Sequence, residues 1–250
     1  VRFTSETVTD GIREQLFTLG EIPGVLWTPA DATTPRPLVL IGHGGGSSKK
    51  GWEVTSRAFP FVTTCGFAVA AIDAPGTGDR PFHPEVMRLV AVIDGLKDAG
   101  QSFEAEKLAM YETVVAELIP DWQKTLDALQ QTEFVDRSRP IGYYGLSQGG
   151  ELGIRLVADE PRIGAAVLGL VGSEWLLEPA SRITVPVEYL LQWNDDGNPR
   201  DDVMRLFGAL GSAEKTLHAN PGSHFGIPMF EIDSAVRFFA RHLGEATVVC

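Results

Sequence analysis

Ser147 stands in Gly145-Leu146-Ser147-Gln148-Gly149, with the apolar run Ile141 to Tyr144 before it and Leu152, Leu156 and Val157 at helical spacing after it. The pattern reads as strand, tight turn, helix. Glycines at 145 and 149 suit so sharp a turn, since a side chain at either place would meet the neighbouring strand or helix. A hydroxyl presented there can attack an acyl carbon if a base takes its proton and a carboxylate holds that base in the right tautomer. The amide of Gln148 opens the helix and points a donor at any oxyanion formed beside Ser147. Five histidines compete for the part of base: His43, His83, His218, His224 and His242. His224 lies in a Gly-rich loop, Pro221-Gly-Ser-His-Phe-Gly226, whereas His242 sits at a helix C-terminus where a cation is simply favourable. The candidate acids, Asp195 and Asp196, share the turn Asn194 to Pro199. Asp201 and Asp202 read instead as the first turn of a helix running to Leu210.

The elements that must position these groups alternate between buried strands and helices. Ile12 to Leu19 and Val25 to Trp27 read as a β-hairpin around Gly20 to Gly24, and Leu38 to Ile41 as a continuous apolar strand running into Gly42-His43-Gly44-Gly45-Gly46. Glu53 to Cys65 reads as a helix stopped by Gly66, followed by the strand Phe67 to Ile72 and the turn Asp73-Ala-Pro-Gly-Thr-Gly78, with Asp73 as a turn-former. Three helices are expected next, Pro84 to Leu96, Phe103 to Ile119, and Asp121 to Gln131 opened by Pro120. After the Ser147 helix come strands at Ile163 to Leu170, Val185 to Leu191 and Lys215 to Asn220, and a closing helix from Phe230 to Leu243.

A Gly-x-Ser-x-Gly turn between strand and helix resembles the nucleophile elbow of the α/β-hydrolases. That resemblance implies an α/β fold with a mostly parallel, doubly wound sheet, an N-terminal antiparallel hairpin and helices on both faces. It also implies the chain order serine, acid, histidine, which makes Ser147 the nucleophile and His224 the base. The turn spacing to Pro199 resembles relatives in which the first of two aspartates is the acid, so Asp195 is preferred and Asp196 is the alternative. The Gly-rich turn resembles the His-Gly-Gly-Gly turn of esterases and lipases, implying that the amide of Gly45, or of Gly44, joins that of Gln148 as the oxyanion hole, with His43 structural. The Asp73 turn resembles the one that follows the next strand in the same family. Leu190 to Asp196 and Lys215 to His224 look like bacterial dienelactone-hydrolase-related esterases, whose namesakes carry a cysteine nucleophile where this chain has Ser147. The implied activity is therefore that of a serine carboxylesterase on small-molecule esters, with no cofactor and no metal. A peptidase, thioesterase or lactonase on the same residues, and a non-catalytic small-molecule binder of the same fold, are the alternatives.

The totals bound the rest. With 250 residues and no internal repeat, one domain over 1–250 is expected. A helical insertion at about 80–120 is the exception, and Phe82 to about Ala99 within it is read as a small lid or pocket wall, with an extra helix packed on the outside as the alternative. Only about a dozen residues separate Leu170 from Val185, too few for a large cap, which leaves a more open acyl pocket lined by Trp175, Leu176 and Leu177. A net charge of −12 repels phosphate backbones and anionic lipid surfaces, so no nucleic-acid partner is expected. A phosphate-cradling reading of Gly44 to Lys50 fails because the spacing Gly-x-x-x-x-Gly-Lys-Ser/Thr is absent. The longest apolar run, Ile163 to Gly172, is half of what a bilayer span needs. A soluble, cytoplasmic protein is the expectation, with export left open because the first residue is Val1. The two cysteines, Cys65 at a helix end and Cys250 at the terminus, have neither metal nor redox spacing.

Overall fold

The computed structural model describes residues 1–244. The apolar runs of the sequence become strands in the order expected. The chain runs β1 (Arg2–Thr9), β2 (Ile12–Leu19), β3 (Ile22–Pro29), β4 (Leu38–Gly42), α1 (Trp52–Cys65) and β5 (Ala68–Ile72). It continues with α2 (Pro84–Asp98), α3 (Glu104–Leu129), β6 (Ile141–Leu146), α4 (Gln148–Asp159), β7 (Ile163–Gly169) and, after a 3₁₀ turn at Glu174–Leu176, α5 (Leu177–Arg182). β8 (Val187–Gln192), α6 (Arg200–Ala209), β9 (Lys215–Asn220) and α7 (Phe230–Leu243) complete it. The strands form one sheet in the order β1-β2-β3-β5-β4-β6-β7-β8-β9. From β5 through β9 neighbouring strands are parallel, while β1, β2 and β3 are antiparallel and β3 joins β5 antiparallel.

Two cores follow from this layering. On one face α3, α4 and α6 pack over Leu38, Leu40, Tyr143, Leu168 and Tyr189; on the other α1 and α7 pack over Val39, Ile41, Tyr144, Val167 and Leu190. Alternate residues of the same strand serve opposite faces, which explains why these strands read as unbroken apolar runs.

Two elements differ from expectation. β1 is absent from the sequence reading because Arg2–Thr9 is almost wholly exposed and carries no alternating apolar pattern; its register with β2, from Arg2 opposite Thr18 to Thr9 opposite Ile12, holds it in place. The two helices expected on either side of Pro120 are one helix, α3, with Pro120 inside it. Proline removes one intrahelical hydrogen bond. Tyr111, Val114, Leu118, Trp122, Leu126 and Leu129 nevertheless continue one buried stripe across it, and that burial outweighs the lost bond. Cys65 is buried and free, and burial pushes its thiol up to about 11; Cys250 lies outside the described residues. Among the described residues no helix is long and apolar enough to cross a membrane.

Candidate active site

Four loops leaving the carboxyl ends of parallel strands converge, as happens when all strands of a sheet point one way. The loop after β4 brings Gly44 and Gly45, that after β6 brings Ser147, that after β8 brings Asp195, and that after β9 brings His224. Ser147 has φ 56° and ψ −127°, a conformation that L-residues avoid, at a cost of about 1–3 kcal/mol. The surroundings enforce it. The Ser147 amide donates to the Gly169 carbonyl at 3.0 Å, and the Tyr143 hydroxyl donates to the Gly149 carbonyl at 2.7 Å. A Cβ at Gly149 would run into the Gly42 carbonyl, and one at Gly145 into the Gly149 carbonyl, so neither position accepts a side chain without displacing backbone.

His224 Nε2 lies 2.9 Å from Ser147 Oγ, and its Nδ1 lies 2.6 Å from Asp195 Oδ2. Because the ionised carboxylate only accepts, Nδ1 carries the proton and donates, leaving Nε2 to accept from the serine hydroxyl. The Asp195 side chain is 2% exposed. Its Oδ1 accepts from the amides of Gly197 at 2.9 Å and Asn198 at 3.2 Å, and Oδ2 accepts also from Asn198 Nδ2 at 3.2 Å. Asp196 is exposed and takes no part in this chain of hydrogen bonds.

Gly45 and Gln148 are neighbours in space: a Cβ at Gly45 would sit 3.7 Å from Gln148 Oε1. Among the described residues, no turn or loop carbonyl accepts from the amides of Gly44, Gly45 or Gln148. The loop bearing the two glycines is held from behind by two clasps. His43 Nε2 accepts from the Ala74 amide at 3.0 Å, so Nδ1 is the protonated nitrogen and donates to the Gly44 carbonyl at 2.9 Å. Lys49 donates through its backbone amide to Asp73 Oδ1 at 2.7 Å and through Nζ to Asp73 Oδ2 and Asp79 Oδ2, both at 2.6 Å.

The remaining histidines are occupied elsewhere. His83 caps α2 and meets Glu117, and His242 meets Glu214. His218 Nδ1 lies 2.7 Å from Glu231 Oε2; with Glu188 these two form the group among the described residues whose donor atoms, within 4.8 Å of one another, could hold a cation. None of the three lines the cavity at Ser147.

That cavity, about 340 Å³, opens beside Ser147 and His224. Its walls are Ile41, Trp52, Leu146, Leu170, Phe225 and Ile227, and it reaches Glu53, Arg57 and Tyr144. Trp175, Leu176 and Leu177, expected as lining, are not part of it. Leu176 is fully buried in the core under α6, and Trp175 stacks against Tyr111 with ring centroids 6.2 Å apart, because this segment folds down onto the α3 face of the sheet. The lining comes instead from the opposite face, at the start of α1. A signal for it existed: only five residues separate Gly46 from Trp52, so the first turn of α1 cannot leave the rim of the glycine loop.

The profile described as the alpha/beta hydrolase family matches residues 38–247. The chain belongs to that family. Comparison with curated proteins finds no match. Among solved structures, the PEG-bound complex of a cold-adapted esterase from an Arctic intertidal metagenomic library is 33% identical, with a TM-score of 0.81 over 98% of this chain and 100% of that one. The native form of that esterase aligns at 31% identity and a TM-score of 0.75, over 98% of this chain and 100% of that one. An acetyl xylan esterase from Paenibacillus sp. R4, at 18% identity and a TM-score of 0.68 over 97% of this chain and 88% of that one, shares the α/β-hydrolase fold. The profile match begins at β4, while the alignments with the cold-adapted esterase cover 98% of this chain and so take in most of β1 to β3 as well.

Proposed function

We propose that this α/β-hydrolase is a serine carboxylesterase working through an acyl-enzyme. The reading rests on the hydrogen-bonded series Ser147, His224, Asp195 at 2.9 and 2.6 Å. Ser147 Oγ attacks the ester carbonyl while its proton passes to His224 Nε2, and Asp195 stabilises the resulting imidazolium through Nδ1. The amides of Gln148 and Gly45 receive the charge on the carbonyl oxygen. As the tetrahedral species collapses, the C–O bond to the alcohol breaks and His224 returns its proton to the leaving oxygen. Water, deprotonated by His224, then attacks the acyl carbon, frees the acid and restores Ser147. Each step uses groups of the chain itself. The protein is an ester-hydrolysing enzyme, and the esterases to which it is similar at 31% and 33% identity support carboxylic esters over peptides, thioesters or lactones.

The test is turnover of p-nitrophenyl butyrate together with labelling by a fluorophosphonate. Ser147→Ala should lose both, with turnover down by at least about 10⁴. Turnover by the variant near the wild-type rate would refute the assignment.

A further inference from the structure

Arg57, in the second turn of α1, is 8% exposed and lines the cavity beside Ser147. Its Nε donates to the Tyr144 hydroxyl at 3.2 Å, and its Nη1 donates to the Glu53 carbonyl at 2.7 Å and to Ser56 Oγ at 3.0 Å. That accounts for three of the five guanidinium N–H groups. Nη2 carries the other two, finds no acceptor among the described residues, and is not sealed from solvent. Nor does any carboxylate of the described residues come within 4.0 Å of this guanidinium, although the chain has 33 acidic residues against 21 basic ones. A guanidinium does not shed its proton, and a buried charge without a counter-ion is costly.

Taking the serine-esterase reading of the site as given, we propose that Arg57 binds a carboxylate of the substrate. The substrate class is then the half-ester of a short aliphatic dicarboxylic acid: one carboxyl is esterified and faces Ser147, and the other is free and faces Nη2. Trp52, Leu146, Leu170, Phe225 and Ile227 supply apolar walls for the methylenes between them. The cavity, about 340 Å³, stands at the small end of the range of roughly 300–1,000 Å³ usual for ligand sites, which suits a short chain. A singly charged group is favoured over a phosphate dianion because Glu53 shares the cavity. Its carboxylate lies toward Gly51 and Gly44, with Oε1 buried and without a donor, and it repels a second negative charge. Hydrolysis adds one water across the ester bond and releases the alcohol and the free dicarboxylic acid.

The experiment compares p-nitrophenyl monoglutarate with the p-nitrophenyl ester of monomethyl glutarate, in which the free carboxylate is capped as a methyl ester, by release of p-nitrophenol. Wild-type enzyme should prefer the free acid by at least about tenfold in kcat/KM, the usual effect of one charge-assisted hydrogen bond. Arg57→Met should bring that ratio to one or below, and Arg57→Lys should leave an intermediate value. Free glutarate should bind Ser147→Ala, measured by calorimetry, and bind the Ser147→Ala, Arg57→Met double variant at least about tenfold more weakly. A wild-type ratio at or below one, or glutarate binding unaffected by Arg57→Met, overturns the proposal. If the wild type hydrolyses neither ester, the esterase reading has failed while the glutarate measurement still decides the role of Arg57.

Discussion

Asp195 and Asp196 have the same side chain and adjacent positions, yet one is buried against four donors and the other faces water. Replacing Asp195 by Asn would present an amide to Nδ1 and favour the tautomer that cannot accept the serine proton, so kcat should fall by about 10⁴. Asp196→Asn should change it by no more than a few-fold. Steady-state kinetics of the two variants decide between the acids, and a larger loss for Asp196→Asn would reverse the assignment. The sequence distinguishes the pair only through the turn spacing to Pro199, because burial of one aspartate and not the next is set by the fold of Gly197 and Asn198. Arg57 was harder still. It lies between Val54, Ala58 and Phe61 on the apolar stripe of α1, and an arginine on that stripe was a signal that the periodicity alone passes over. The expected lining by Trp175, Leu176 and Leu177 failed for a different reason. A short apolar segment after a strand can fold to either face of the sheet, and its composition is the same in both cases.

The loop between β4 and α1 works as a unit because Lys49 and His43 tie it to the turn after β5. Lys49 is 5% exposed and Asp73 is fully buried, so Lys49→Met leaves a buried carboxylate without its ion partner. Stability should fall by about 3–5 kcal/mol in urea denaturation, and kcat should fall with it as Gly45 loses its backing. The pH dependence has a defined sign. Burial works against the Lys49 ammonium, but its hydrogen bonds to Asp73 and Asp79 outweigh burial and raise it above the ordinary lysine value. The contribution to stability is therefore complete below the unfolded lysine range, about pH 10.4, and is lost as pH rises through the folded value. An alkaline loss of stability present in the wild type and absent in Lys49→Met is expected; equal alkaline profiles would remove this clasp from the account. The strands β4 to β8 were legible because both of their faces are covered, and β1 was not because Phe3 alone of its residues packs against the core. Pro120 misled for a local reason: its missing N–H argues for a boundary, but the buried stripe of α3 extends on both sides of it.

Between β5 and α3 lies α2, which packs against α3. We propose that Phe82 to Ala99 acts as a small lid. Leu89 and Ile93 anchor α2, while Phe82, Met87, Val90 and Val92 remain exposed. Phe82 and Ser47 lie on one shallow cleft, and Ser47 also lines the cavity at Ser147. Replacing 82–99 by a short linker should leave the far-ultraviolet signature of the sheet intact and alter the ranking of p-nitrophenyl esters by acyl length. An unchanged ranking would reduce α2 to a packing element.

The crowding at Gly145 and Gly149 also bears on how this protein can be altered by hand. Backbone carbonyls occupy the space that a side chain at either position would need, so substitutions at these two positions displace the turn that presents Ser147. Trp52 is 72% exposed and Phe225 93% exposed, and both border the cavity without supporting the turn that presents Ser147. A directed-evolution library confined to Trp52 and Ile227 would explore new acyl groups, whereas Phe225, whose ring packs edge-on against His224 with centroids 5.0 Å apart, is better kept.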